Sequence, residues 1–235
     1  MKKILISLSM LALVFGVNAQ DLEDILGQMA ASGASTTYEQ AYIFSTYVQM
    51  SLTDNGNQTV VYDAYLNKAG DVTAILFSDG GAQSVVLIDT KNNAVLLLSE
   101  DEGEKTGIAM GYDPAALSEV SGEINEDDYS SYKTGKTKDI LGYSCDEYVI
   151  KEDGTKVQMW VSAKLGKEVE QDLLGNEQVF GGAFLHAARA NGMVMEYNYT
   201  DENSGENRKL VITKLDLKAM YSVKTSEYAI MSMGQ

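Results

Sequence analysis

Apolar and polar residues alternate over most of the chain, in short runs broken by turn residues. Val60, Tyr62, Ala64 and Leu66 share one face of an extended segment over 59–66. Lys68-Ala69-Gly70-Asp71 turns the chain into 72–78, Gly80-Gly81 into 83–89, and Lys91-Asn92-Asn93 into 94–99. Runs of this length joined by Gly- and Asn-bearing turns predict an antiparallel meander. Residues 40–52, rich in Tyr, Ile, Phe, Thr and Val, predict a strand before it. The pattern resumes at 134–141 and 143–151, turns at Glu152-Asp153-Gly154-Thr155 and returns over 156–162. Residues 193–200 and 208–218 predict a hairpin across Asp201 to Asn207, and 221–231 a last extended piece. The alternation puts Met193, Met195, Tyr197 and Tyr199 on one strand face, and Val157, Met159 and Val161 on another.

Helical spacing takes over where alternation stops. Leu22, Ile25, Leu26 and Met29 fall at i, i+3, i+4 and i+7, with Asp21, Glu23 and Asp24 in the first turn, which predicts a helix over 21–32. Asp113-Pro114 suits an N-cap followed by N1, and predicts a short helix over 114–121. Residues 167–174 read as helical up to Gly175. Val179, Phe180, Ala183, Phe184, Ala187 and Ala188 predict another helix, ended by Gly192. From Glu100 to Asp128 acidic residues dominate, with Lys105 the one base, and the stretch reads as an excursion from the sheet. The expected fold is α+β but mainly β. It has one strongly curved, unclosed antiparallel sheet of about nine to ten strands, an N-terminal helix, and helices inserted between strands to cover one face.

The first residues add an address. Met1-Lys2-Lys3 is basic, Ile4 to Val17 is apolar, and Val17-Asn18-Ala19 offers small residues for cleavage after Ala19. The apolar run is shorter than the ~20 residues a membrane span needs. Residues 1–19 are therefore expected to be a signal peptide and 20–235 a single exported domain, periplasmic or secreted, with no integral membrane segment in the mature chain.

Charge and chemistry narrow the function. Thirty-four acidic residues against 18 basic give a net charge of -16, which excludes nucleic acid as a partner. One His and one Cys exclude a Cys/His zinc cluster and an intrachain disulfide. A nucleophilic pair would have to join His186 to Cys145, and nothing in their spacing brings them together. The acidic loops at 100–104, 125–128 and 201–206 lack the alternating calcium-loop pattern, and Gly80-Gly81 and Gly181-Gly182 lack a phosphate-loop context. No catalytic residue, metal or cofactor is expected. What remains is apolar surface, with 11 Met and 14 Tyr in the chain. These residues either pack a core or line an adaptable site for an apolar ligand. Met159, Met193, Met195, Tyr197 and Tyr199 are the candidate lining, with Phe180 and Phe184 on a covering helix.

Residues 135–150 read Gly-Lys-Thr-Lys-Asp-Ile-Leu-Gly-Tyr-Ser-Cys-Asp-Glu-Tyr-Val-Ile. An Asp153-Gly154 turn, Trp160-Val161-Ser162 and a late Gly192-Met-Val-Met-Glu196 follow. This arrangement resembles the domain of unknown function 4412, a family of exported bacterial envelope proteins. The resemblance implies a fold similar to the LolA/LolB-like carriers, in which an unclosed antiparallel barrel covered by helices holds acyl chains. It brings no catalytic residues. It implies a soluble exported protein that binds an apolar small molecule or lipid. The alternative is a structural or interaction protein of the cell envelope, with an envelope protein as partner and an interior filled by its own side chains.

Overall fold

Alternation becomes a sheet in the computed structural model of the chain, which describes residues 36–56, 58–79, 82–111, 132–152, 154–168 and 192–233. The strands are β1 (Tyr42–Phe44), β2 (Thr46–Asp54), β3 (Gln58–Leu66), β4 (Val72–Asp79), β5 (Ala82–Asp89), β6 (Ala94–Asp101), β7 (Glu104–Gly111), β8 (Lys133–Ile140), β9 (Tyr143–Glu152) and β10 (Thr155–Ser162). Helix α1 (Ala163–Glu168) follows, then β11 (Met193–Asp201), β12 (Asn207–Asp216), β13 (Tyr221–Val223), a 3-10 turn (Thr225–Glu227) and β14 (Ala229–Met233).

Twelve strands form one sheet in the order β14-β7-β6-β5-β4-β3-β2-β12-β11-β10-β9-β8, and β1 and β13 form a separate two-stranded sheet. The large sheet is open, because its end strands β14 and β8 do not meet. Its pairings are antiparallel except for β14, which runs parallel to β7. Strand β12 lies between β2 and β11 and so joins the N-terminal meander to the C-terminal hairpins. Asn93, at φ 50°, takes the left-handed conformation needed in the tight turn from β5 to β6.

The middle of the sheet is buried on both faces. On one side Ile75, Phe77, Val86, Ile88, Val95 and Met110 join Val48, Met50, Tyr62 and Ala64 in a single cluster. On the other, Ala74, Val85, Leu87, Leu96, Leu98 and Ala109 pack under Tyr42, Phe44 and Val223 of the small sheet. This two-sided burial explains why 85–88 and 94–98 are continuous apolar runs. Each fully buried leucine here contributes about 1.5–3 kcal/mol by leaving water.

Several expectations are corrected. The acidic stretch opens with a hairpin, for β7 pairs with β6 and places Glu100 opposite Lys105. The acidic residues 101, 102 and 104 sit at the hairpin tip, where Glu102 and Gly103 have φ of 52° and 85°. Local alternation after the tip outweighs the composition. The predicted strand over 40–52 breaks at Ser45, whose N–H donates to the Leu66 carbonyl at 3.0 Å, and its two parts enter different sheets. The segment 221–231 likewise splits at Thr225–Glu227. The strands are thus more numerous than expected.

Helix is scarce among the described residues: a six-residue α1 and one 3-10 turn. Helix α1 begins before the predicted 167–174 segment, with the Leu165 N–H donating to Ser162 Oγ at 3.4 Å. The described part of the fold is mainly β, and helices covering a face are not found in it. The helices expected over 21–32, 114–121 and 179–192, most of 167–174, and the signal segment 1–19 lie outside the described residues.

Candidate functional site

One face of the large sheet carries an apolar row from the edge strand β14 to β9, next to the other edge. The ladder carries Met231 to Ile108, Leu97, Val86, Ile75, Ala64 and Val48, one residue per strand from β14 to β2. On the same face Leu52 lies opposite Leu210, Leu210 opposite Tyr197, Tyr197 opposite Met159, and Met159 opposite Tyr148. Strand alternation puts one such residue on this face at every second position. Half of these side chains are buried, Val48, Ala64 and Met159 completely, and the rest are half-buried except for the exposed Met231.

One of the polar groups on this face stands out near its centre. Tyr62 stands opposite Met50 and meets Phe77 edge-to-face, with ring centroids 5.6 Å apart. Its hydroxyl is buried and has no hydrogen-bond partner among the described residues. Burial pushes the phenol up to about 12. An orphaned buried hydroxyl costs roughly 1–3 kcal/mol, so this position is an exception to the rule that buried polar groups are satisfied.

The predicted lining divides. Met159, Tyr197 and Tyr199 come together with Tyr148, Ile150, Val157 and Val161. Met193 and Met195 do not join them; with Cys145, Trp160 and Leu165 they belong to the larger cluster that also holds Val48, Met50 and Tyr62. The cause is a β-bulge: Trp160 faces Glu196, Val161 faces Val194, and Met195 is the extra residue between them. One inserted residue shifts the side-chain phase of the strand, so the expected common face of 193, 195, 197 and 199 is broken. Phe180 and Phe184 lie outside the described residues. Leu52, Tyr62 and Leu210 were not singled out in the sequence, although the 59–66 alternation already grouped Tyr62 with its neighbours.

The opposite face of β8–β12 carries a polar network built on the 135–150 segment. Glu147, Trp160 and Glu196 lie in one cross-strand row; Gln158, Asn198 and Lys209 form the next. The buried Glu147 accepts from Thr134 Oγ1 and Gln158 Nε2, each at 2.5 Å, and pairs with Lys136 at 3.1 Å. The Thr134 hydroxyl above all holds its carboxyl below the ordinary value, against the opposing effect of burial. Glu196 accepts from Lys138 Nζ at 2.7 Å and Asn198 Nδ2 at 3.2 Å, and pairs with Lys209 at 3.4 Å. Burial opposes ionisation of Glu196, but the Lys138 ammonium and its fellow donors prevail and hold it low as well. Lys138 Nζ also sits 4.3 Å from the centre of the Trp160 ring. Both carboxylates are thus ionised and paired at neutral pH, which suits a fixed scaffold and not a proton donor.

Cys145 is fully buried and its thiol donates to the Tyr143 carbonyl at 3.4 Å. Burial pushes the thiol up to about 11, so it is protonated and unreactive at neutral pH. His186 lies outside the described residues. In the 201–206 loop the Asp201 carboxylate accepts from the Asn203 N–H and Ser204 Oγ, both at 2.8 Å, which makes it the acceptor of a turn. Among the described residues no group of three or more His, Cys, Asp or Glu could hold a metal ion, and no helix is long and apolar enough to cross a membrane.

The model of the family described as domain of unknown function DUF4412 matches residues 44–179, from β1 through the polar network's central strands. The chain belongs to this family. Its 135–150 segment gains a physical meaning from the structure. Lys136 and Lys138 of the DUF4412 domain carry the ion pairs, Cys145 is core, and Tyr148 and Ile150 belong to the apolar face. No curated protein matches the sequence significantly. Among solved structures, PNGF-II is 17% identical with a TM-score of 0.39; the match covers 80% of this chain, which spans 31% of that one. An uncharacterised conserved protein from Thermus thermophilus is 7% identical with a TM-score of 0.35, over 91% of this chain and 99% of that one. A LolA superfamily protein from Nitrosomonas europaea is 11% identical with a TM-score of 0.27, over 84% of this chain and 93% of that one. At such TM-scores none of the three fixes an activity.

Proposed function

We propose that this protein is an exported, non-catalytic binding protein of the bacterial cell envelope, which holds an apolar ligand such as a lipid acyl chain against the long apolar face of its open sheet. The signal-like first nineteen residues support export to the periplasm or beyond. The observation that carries the binding reading is the buried Tyr62 hydroxyl at the centre of that face, which has no partner among the described residues. A carboxyl or ester oxygen of a ligand would satisfy it, while the surrounding Met and aliphatic side chains would adapt to the chain. Sheet curvature toward this face would give the half-barrel such a ligand needs. Met193 and Met195, which share a cluster with Met50 and Tyr62, and Met159, Tyr197 and Tyr199 further along the face all remain in the proposed lining.

A second reading has its own support. Much of the face is already buried with nothing bound, as expected of a core filled by its own side chains in an interaction protein. Native mass spectrometry of protein purified from a bacterial periplasm without detergent, followed by solvent extraction, separates the two. A stoichiometric lipid or other apolar molecule is the predicted result. An empty protein that also fails to take up added fatty acids and lipids would sink the binding reading in favour of the second.

A further inference from the structure

Among the described residues the large sheet ends in two edges, β8 and β14, and they are built differently. Strand β8 is protected. Lys133, Lys136 and Lys138 line it, and Gly135, at φ 85°, lies where its register with β9 shifts between Lys133 and Thr137. Lysines and irregularities are how sheet edges avoid pairing with other chains. Strand β14 has neither. Its sequence, Ala-Ile-Met-Ser-Met, holds no charge, proline or glycine, and it pairs with β7 in unbroken register over all five residues. Met231 at its centre is 66% exposed.

We propose that β14 is an interaction edge that pairs antiparallel with β14 of a second copy of this chain, about a two-fold axis at Met231. Three observations favour a second copy as occupant. An antiparallel pair of identical strands is self-complementary, so an uncharged five-residue edge fits its own copy without further design. The whole chain is at -16, which sets copies against one another, yet the two bases beside this edge are paired, Lys105 with Glu100 and Glu227 and Lys224 with Glu227, and β14 itself carries no charge. Finally, the apolar row of the sheet ends at Met231, opposite Ile108, and pairing through β14 would continue it into the partner. The inference does not depend on the ligand proposed above.

Sedimentation velocity across a wide range of concentrations tests it, on protein purified from a bacterial periplasm and on two variants. Met231→Lys places a charge at the axis and should weaken the dimer about tenfold or more, with circular dichroism and melting unchanged. Met220→Lys, at a 97% exposed site between β12 and β13, should leave the dimer as it was. Met231→Cys supplies an independent check, since directly opposed strand positions lie within disulfide reach and Cys145 is buried. Mild oxidation should link this variant to itself. A monomer at every concentration, a dimer that Met231→Lys spares or that Met220→Lys weakens equally, or a Met231→Cys variant that does not cross-link would each overturn the proposal. So would a different protein occupying β14 in place of the second copy.

Discussion

Tyr62 is the residue on which the binding account turns. Its hydroxyl gives up water and gains no partner among the described residues. Tyr62→Phe should therefore leave the ligand-free protein as stable or raise its stability by about 1 kcal/mol, measured by urea unfolding. A loss above 2 kcal/mol would mean that the hydroxyl has an interaction in the free protein. Cys145 is the converse case, a thiol used for packing. Cys145→Ser should cost about 0.5–3 kcal/mol and leave ligand binding intact; lost binding with unchanged stability would contradict that role. Glu147 makes a prediction in pH. Its folded carboxyl titrates below the ordinary value, so ionisation stabilises the native state. That contribution is fully present above the unfolded value of about 4.3 and is lost as pH falls through the lower folded value. The stability gap between the native protein and Glu147→Gln should accordingly close as the pH drops below about 4. A gap that widens in acid would reverse the assignment.

At the scale of elements, β2 to β6 and β8 to β12 were legible in the sequence because alternation and turn residues agree there. Gly70 and Gly154, both left-handed, stand where the turns were read. The misses have physical causes. Strand β7 was hidden because the acidic tip of its hairpin dominates the local composition. The common face expected of 193, 195, 197 and 199 was broken because alternation cannot register a bulge: nothing in Met193-Val-Met-Glu-Tyr197 marks Met195 as the extra residue. The polar network joins residues up to 75 positions apart, from Thr134 to Lys209, and depends on a strand order that local patterns do not encode. The attachment of β14 to β7 is equally non-local, and Gly107 makes it testable. A Cβ there would lie 2.7 Å from Leu98 Cδ2 and 3.2 Å from both the Leu97 carbonyl oxygen and Ile230 Cγ1. Gly107→Ala should destabilise the protein by about 1–3 kcal/mol and speed amide exchange in β14. Unchanged exchange at Ile230 and Met231 would show that the neighbours give way freely.

On the scale of the whole molecule, the protein combines a two-sided core at β4–β7 with an apolar face that runs on past it in both directions. The two-sided part accounts for stability. The polar network on the back of β8–β12 fixes the order of the hairpins that carry the far end of the face. The claim that joins these parts is that the face receives an apolar ligand, and the methionines report on it directly. Methyl spectra of methionine-labelled protein, delipidated and then titrated with a long-chain fatty acid, should show saturable shifts at Met50, Met110 and Met159. Met220, exposed and far from the face in the chain's β12–β13 turn, should not move. Shifts confined to exposed methionines, or none at saturating fatty acid, would contradict the account and leave the face as core alone.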